Sequence, residues 1–191
     1  MRRWRPSSTE VLFQHPLLSL ERQRLAAEAG EEREALVLRS PDWVNVVPLL
    51  AGSSDRPGDV RVVMVRQWRF GVAAETLELP GGVVEDPTPE EAALRELREE
   101  TGYHARSLRP LGELSPNPAI FANRCFTFLA TGLERAGEPL NGLLEEQLVE
   151  LVPLAEVPAR VRSGEIRHAL IVAAFHLLAI AEPPASPGAP G

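Results

Sequence analysis

The sequence predicts an α/β protein in which a mixed sheet lies between helices and an antiparallel β arm precedes it. Three observations point there. Short β-branched runs, punctuated by turn residues, recur along most of the chain. One strongly marked amphipathic helix interrupts them over about residues 88–102, and a largely apolar helix follows the last of them. Strands on both sides of a helix are the pattern of a layered sheet covered by helices.

Taken in order, EVLFQHPLLSLERQRL and EREALVLRS flank AEAGEE, where Gly30 offers a turn, so two antiparallel strands are expected. Such an arm holds too little core to stand alone and must pack on the main domain or on a second chain. WVNVVPLLAG and DVRVVMVRQWRF are separated by the loop signal SSDRPG and form a hairpin of the central sheet. Trp68, alternating with Gln67 and Arg69, is assigned to the core. ETLELPGG is a shorter strand ending at its glycines. RCFTFLATGL and EQLVELVPL are strands joined through the loop RAGEPLNG. EIRHALIVAAFHLLAIA, behind Gly164 and ahead of Pro183, forms a buried helix from about Glu165 to Ala181. These boundaries give an arm over 1–40, a main domain over 41–181 and a mobile Pro/Ala/Gly tail over 182–191.

Composition narrows the chemistry. The chain has 191 residues, ordinary hydrophobic (44%) and charged (25%) fractions, and a net charge of −7. That charge argues against a general nucleic-acid or anionic-membrane binder, and an anionic substrate would need local arginines or metal ions. No apolar run approaches the roughly 18 residues of a membrane span, and the N-terminus lacks the apolar core of a signal peptide. A single cysteine, Cys125, excludes an internal disulfide and sits in the apolar run CFTFLA as an inert buried thiol. A cytoplasmic location is expected.

The middle helix carries the chemistry. Thr88 caps it, Pro89 suits its first position, Glu91 completes a capping box, and Gly102 ends it in a left-handed conformation. On this phase Leu94, Leu97 and Thr101 face the core. Glu96, Glu99 and Glu100 share another face, being i, i+3 and i+4 neighbours, with Arg95 in reach of Glu99. Ala92 and Ala93 lie one turn earlier and let the Gly81–Gly82 backbone approach, so a glycine carbonyl could join the carboxylates. An all-oxygen set of this density suits hard cations such as Mg²⁺ or Mn²⁺. The alternative is a solvated acidic face balanced by arginines.

From Gly81 to Tyr103 the stretch resembles the signature of the Nudix hydrolases: G, five residues, E, seven residues, then R-E-U-x-E-E-x-G-U, with U bulky and apolar. Gly81 takes the first position, and Arg95-Glu96-Leu97-Arg98-Glu99-Glu100-Thr101-Gly102-Tyr103 fills the last block. Pro87 stands where the signature has its first glutamate; Glu85, Asp86 or Glu90 could compensate through a water, though none is in register. The resemblance implies an α/β/α sandwich with a loop-helix-loop metal site, and Mg²⁺-dependent hydrolysis of a nucleoside diphosphate linked to another moiety, Mn²⁺ substituting. By that carry-over the metal ligands are the Gly81 carbonyl, Glu96, Glu99 and Glu100, with Glu99 or Glu100 as a proton acceptor in the alternative. An impaired nucleotide-sugar binding module and a nucleoside triphosphate pool cleanser are the competing functions.

The flanks resemble the ADP-ribose and nucleotide-sugar pyrophosphatases of that family, through VRQWRF followed by ETLELPGG, the N-terminal arm and the SGEIRHALIVAAF ending. This resemblance implies that Arg69 contacts phosphate and that Glu78 lies beside the substrate. It also implies that the arm builds a homodimer; Trp43, which follows Pro41 and Asp42 and opens a strand, either stacks on a nucleobase or is a plain hydrophobic anchor. Asn123, Phe121 and Arg124, on the proline-rigid loop SPNPAIFANRC, would shape specificity. In LLEEQLVEL one register makes Glu146 the general base, with Glu145 beside it, and another puts Gln147 there.

Overall fold

The computed structural model describes residues 2–52, 59–140 and 147–181. The chain divides into two compact units, Met1–Asp42 with Leu114–Cys125, and Trp43–Glu113 with Phe126–Gly191.

The first unit is a three-stranded antiparallel sheet, β1 (Trp4–His15), β2 (Leu18–Ala27) and β3 (Glu32–Arg39), in the order β1-β2-β3. Two strands were expected here, because the run through Pro16 reads as one. Pro16 has no N–H for a ladder, and the chain reverses at Pro16–Leu17 so that His15 pairs with Leu18. The second reversal uses Gly30 at φ 83°, the left-handed region that glycine enters without a Cβ penalty. Segment 114–125 joins this unit through Leu38, whose N–H donates to the Ile120 carbonyl and whose carbonyl accepts from Ala122.

The second unit holds the larger, mixed sheet. Its order is β10 (Leu148–Pro153), β5 (Arg61–Arg69), β4 (Trp43–Leu50), β9 (Cys125–Arg135) and β8 (Tyr103–Leu114). β5 pairs with β4 at Val62–Leu49 and Arg61–Leu50, then with β6 (Ala74–Glu78) from Val65–Glu78 to Arg69–Ala74. β4 in turn pairs with β7 (Gly81–Val83) over Trp43–Asn45. β4 and β5 therefore splay apart, and the chain from Ala74 to Val83 fills the wedge, pinned by the Val46 N–H on the Pro80 carbonyl at 2.9 Å. The glycines of ETLELPGG are thus a strand of their own, not just the end of β6.

Alternate residues of the central strands feed two cores. Val44, Val46, Phe128 and Ala130 pack with Ala92, Ala93 and Leu97 of α1 (Pro89–Thr101). Val47, Met64, Leu77 and Leu129 pack with Ile171, Ala174 and Leu178 of α3 (Ala169–Ala181). Each fully buried aliphatic side chain of this kind stabilises the fold by about 1.5–3 kcal/mol.

Several elements depart from expectation. Strand β8 was not anticipated, because YHARSLRPLGEL carries Pro110 and many polar residues. It lies at a sheet edge, where a missing N–H is tolerated. The last helical region is split into α2 (Val157–Arg162) and α3. Gly164, at φ 79°, turns the chain between them, and α3 starts at Ala169 instead of Glu165. Leu94 is 41% exposed, and Ala92 and Ala93 take the core face with Leu97 and Thr101. Trp68 is 53% exposed, not core, because the β5 pleat that buries Gln67 turns its neighbour outward.

Candidate functional site

Helix α1 begins and ends where its sequence dictates. Thr88 accepts from the Glu91 N–H while the Glu91 carboxylate accepts from the Thr88 N–H, closing the capping box. Gly102 ends the helix at φ 73°, its N–H donating to the Arg98 carbonyl. With both ends fixed, the phase turns Glu96 and Glu100 toward the glycines of β7.

Glu100 is held at both oxygens. Oε2 accepts from the Gly81 N–H at 2.8 Å, and Oε1 accepts from Gln147 Nε2, also at 2.8 Å. Burial pushes its pKa up to about 7, and the neighbouring Glu96 charge adds to this. The hydrogen bonds from Gly81 and Gln147 and the positive charge of Arg69 act in the opposite direction. Glu96 lies against Gly82 so closely that a Cβ there would stand 2.3 Å from its Oε1.

Arg95 ties the acidic face together. Nη1 donates to Glu96 Oε1 at 2.9 Å and to Glu99 Oε2 at 3.1 Å, Nε to Asp86 Oδ2 at 2.9 Å, and Nη2 to the Val83 carbonyl at 3.2 Å. The i,i+4 reach to Glu99 was legible in the sequence; the other three contacts were not. Among the described residues no group of three His, Cys, Asp or Glu side chains is arranged to hold a metal ion. The carboxylates are aimed instead at Arg95, Gln147 and the Gly81 N–H.

The donor chemistry nonetheless fits a hard divalent cation. All three carboxylates present oxygen, a buried one is raised in pKa beside another, and the missing Cβ of Gly82 is what lets the Glu96 carboxylate come in against the backbone. Glu96, Glu99 and Glu100 are the residues that would hold it. Of the expected ligands, Gly81 is seen to use its N–H, in strand register opposite Asn45.

Arg69 and Glu78 form a two-point pair, Nε to Oε1 at 3.0 Å and Nη2 to Oε2 at 2.8 Å, and Thr76 Oγ1 donates to the same Oε1 at 2.7 Å. Glu78 is 2% exposed. Burial alone would raise its pKa, but the hydrogen bonds from Arg69 and Thr76 outweigh that and hold it below the ordinary carboxylate range. Glu78 therefore acts as the anchor of a half-exposed guanidinium whose field also reaches Glu100.

The remaining expected residues fall as follows. Trp43 opens β4 opposite Val83 and is half-buried. Asn123 is buried in the first unit, its Nδ2 donating to the Pro41 carbonyl at 3.3 Å, and Arg124 pairs with Asp42 at 2.6 Å. Phe121 bridges Leu38 in parallel register. Glu145 and Glu146 lie outside the described residues. Cys125 is buried, its thiol pushed up to about 12, as an inert thiol should be.

The sequence offered Asp86 only as one of three carboxylates near Pro87, without its contact to Arg95, and gave no role to Gln67 or to the Gln147 amide. Gln67 shares a face with Val63 and Val65 on a buried strand, and a buried amide in an apolar run is a polar contact in waiting. Its Oε1 lies 3.5 Å from Gln147 Nε2, behind Glu100.

Comparison with known proteins follows the same line. The NUDIX domain family model matches residues 22–175. An ADP-ribose pyrophosphatase of Mycobacterium tuberculosis is 33% identical over 169 residues, covering 87% of this chain and 78% of the relative. A methanol dehydrogenase activator of Bacillus methanolicus is 28% identical over 147 residues, covering 76% of this chain and 75% of its own. Among solved structures, the crystal structure of an ADP compounds hydrolase superposes with a TM-score of 0.79 at 24% identity, covering 94% of both chains. This last likeness concerns the fold.

Proposed function

The chain belongs to the Nudix family, and from that premise we propose that it hydrolyses the diphosphate bridge of ADP-ribose or a related nucleoside diphosphate sugar. The products are a nucleoside monophosphate and a sugar phosphate. The enzyme is a hydrolase acting on phosphorus-containing anhydrides. Supporting this is the seating of Glu96 and Glu100 against the bare backbone of Gly81 and Gly82, which gathers carboxylate oxygens on one face of α1. Relatives named ADP-ribose pyrophosphatase support the substrate class.

A bound divalent cation, Mg²⁺ or in its place Mn²⁺, supplies charge neutralisation at phosphorus and a more acidic water. The chain's own residues do the rest. Glu96, Glu99 and Glu100, with the Gly81 carbonyl, would hold the cation; Arg69, fixed by Glu78, would bind phosphate oxygen; and Trp43 would contact the substrate. Glu146 takes a proton as general base, or Glu99 or Glu100 does so in its place. Gln147, an amide, binds Glu100 and takes no proton.

The protein works in the cytoplasm as a homodimer. No helix among the described residues is long and apolar enough to cross a membrane. The first unit exposes Val11, Leu12, Phe13, Leu17 and Leu36, an apolar surface suited to a second copy. A monomeric mass in solution at micromolar concentration would remove the dimer and the arm's role in it.

The test is incubation with Mg²⁺ and a panel of nucleoside diphosphate sugars and nucleoside triphosphates. Monophosphate release from the sugars, faster than from triphosphates, is expected, with ADP-ribose leading. Glu96→Gln and Glu100→Gln should each lose at least about a hundredfold in kcat/KM, as removal of charge stabilisation does. Wild-type rates in both variants would sink the site, and turnover at background would leave a binding module.

A further inference from the structure

Where the family signature has a glutamate this chain has Pro87, a residue with neither carboxylate nor N–H. The residue just before it supplies a carboxylate to the same helix. Asp86 Oδ2 accepts from Arg95 Nε at 2.9 Å, with both side chains largely screened from solvent at 24% and 29% exposure. Glu85, beside it, is exposed, and the ion pairs of Arg95 run to Asp86, Glu96 and Glu99.

The guanidinium is a rigid planar fork, so fixing two of its nitrogens fixes the direction of the third. Asp86 holds Nε and the Val83 carbonyl holds Nη2. Nη1 is thereby left between Glu96 Oε1 and Glu99 Oε2, keeping two carboxylates from neighbouring turns close to one another. The Asp86 charge also offsets that of Arg95, so the cation site beside it stays negative. Without Asp86 the guanidinium loses its anchor on the loop side, and both the spacing and the charge of the two glutamates change.

We propose that Asp86 is a positioning residue that takes over, from one place earlier in the chain, the job of the missing carboxylate at 87: through Arg95 it sets Glu96 and Glu99 for a divalent cation. It rests on the metal-dependent reading of this site.

The test measures Mn²⁺ binding to the full-length chain by electron paramagnetic resonance, without substrate, with melting temperature recorded for each variant. Asp86→Asn should weaken Mn²⁺ binding by about tenfold, the low end of the loss when an outer partner of a metal ligand is removed. Glu85→Gln, the same charge change at an exposed neighbour, should stay within about twofold. In the Asp86→Asn background, Pro87→Glu should recover most of the loss and Pro87→Gln should not, a pair differing only in the carboxylate. Wild-type Mn²⁺ affinity in Asp86→Asn, an equal loss in Glu85→Gln, or equal behaviour of the Glu and Gln substitutions at 87 would each overturn the proposal. So would wild-type protein with no saturable Mn²⁺ binding. Wild-type protein that binds Mn²⁺ but splits no nucleotide sugar would sink the functional reading and leave the role of Asp86 standing.

Discussion

The Glu96 carboxylate occupies the space that a side chain on Gly82 would need: an added Cβ would lie 2.3 Å from Oε1. Beside it, a Cβ on Gly81 would lie 2.2 Å from the Val44 carbonyl oxygen and 2.9 Å from Asn45 Cα. The two adjacent glycines are thus required for different reasons, one by the end of a side chain and one by backbone.

Gly82→Ala should therefore fold with a melting temperature near wild type, while the displaced Glu96 lowers Mn²⁺ affinity and activity by tenfold or more, an effect of about 1.4 kcal/mol or above. Gly81→Ala should instead destabilise the protein, by roughly 2–3 kcal/mol, because β7 must leave β4 to relieve the contact. Urea denaturation alongside Mn²⁺ titration separates them. Equal melting temperatures in the two variants would refute the distinction.

Arg69→Met should change how stability depends on pH. In the folded wild type the Glu78 pKa lies below its unfolded value of 4.5, so the pair's contribution is full above that value and fades as pH falls through the folded one. In the variant, burial dominates and Glu78 disfavours the folded state once ionised. The stability gap should be roughly 2 kcal/mol at pH 7, discounted for the half-exposed guanidinium, and narrow as the pH falls below 4.5 and through the folded value. A gap constant with pH would contradict the assignment.

Thr88→Ala removes the acceptor for the Glu91 N–H and one donor to the Glu91 carboxylate. A loss of about 1 kcal/mol in chemical denaturation is expected, the usual cost of an N-cap. Thr88→Ser, which keeps the hydroxyl, should recover most of it.

Cys125 should be silent to thiol reagents in the native protein, since burial disfavours the thiolate. One thiol per chain should titrate in denaturant, and treatment of the folded protein should leave activity unchanged. Rapid native labelling would show that β9 opens locally.

How much of this was written along the chain differs from element to element. Thr88, Pro89, Glu91 and Gly102 settle α1 through contacts within four residues of each other, so its ends, phase and glutamate face could be read directly. The central strands were legible because β-branched runs between turn residues need no distant information. Pro16 and Pro110 misled for opposite reasons: one turns the chain between strands, the other sits in an edge strand where no ladder bond is lost. Local pattern cannot tell these apart, because it does not say which strand will be a neighbour.

What the sequence by itself determined is the family signature, the helix that displays Glu96, Glu99 and Glu100, and the glycines facing them. Tertiary structure alone decided their partners. Gln147 reaches Glu100 from 47 residues away, Glu78 closes on Arg69 across a β5–β6 pair, and Asp86 meets Arg95 only because the capped helix folds back over its own entry loop. Hydrogen bonds and ion pairs are short-ranged, so the contacts that tune each carboxylate depend on where distant segments are packed, which no spacing along the chain specifies.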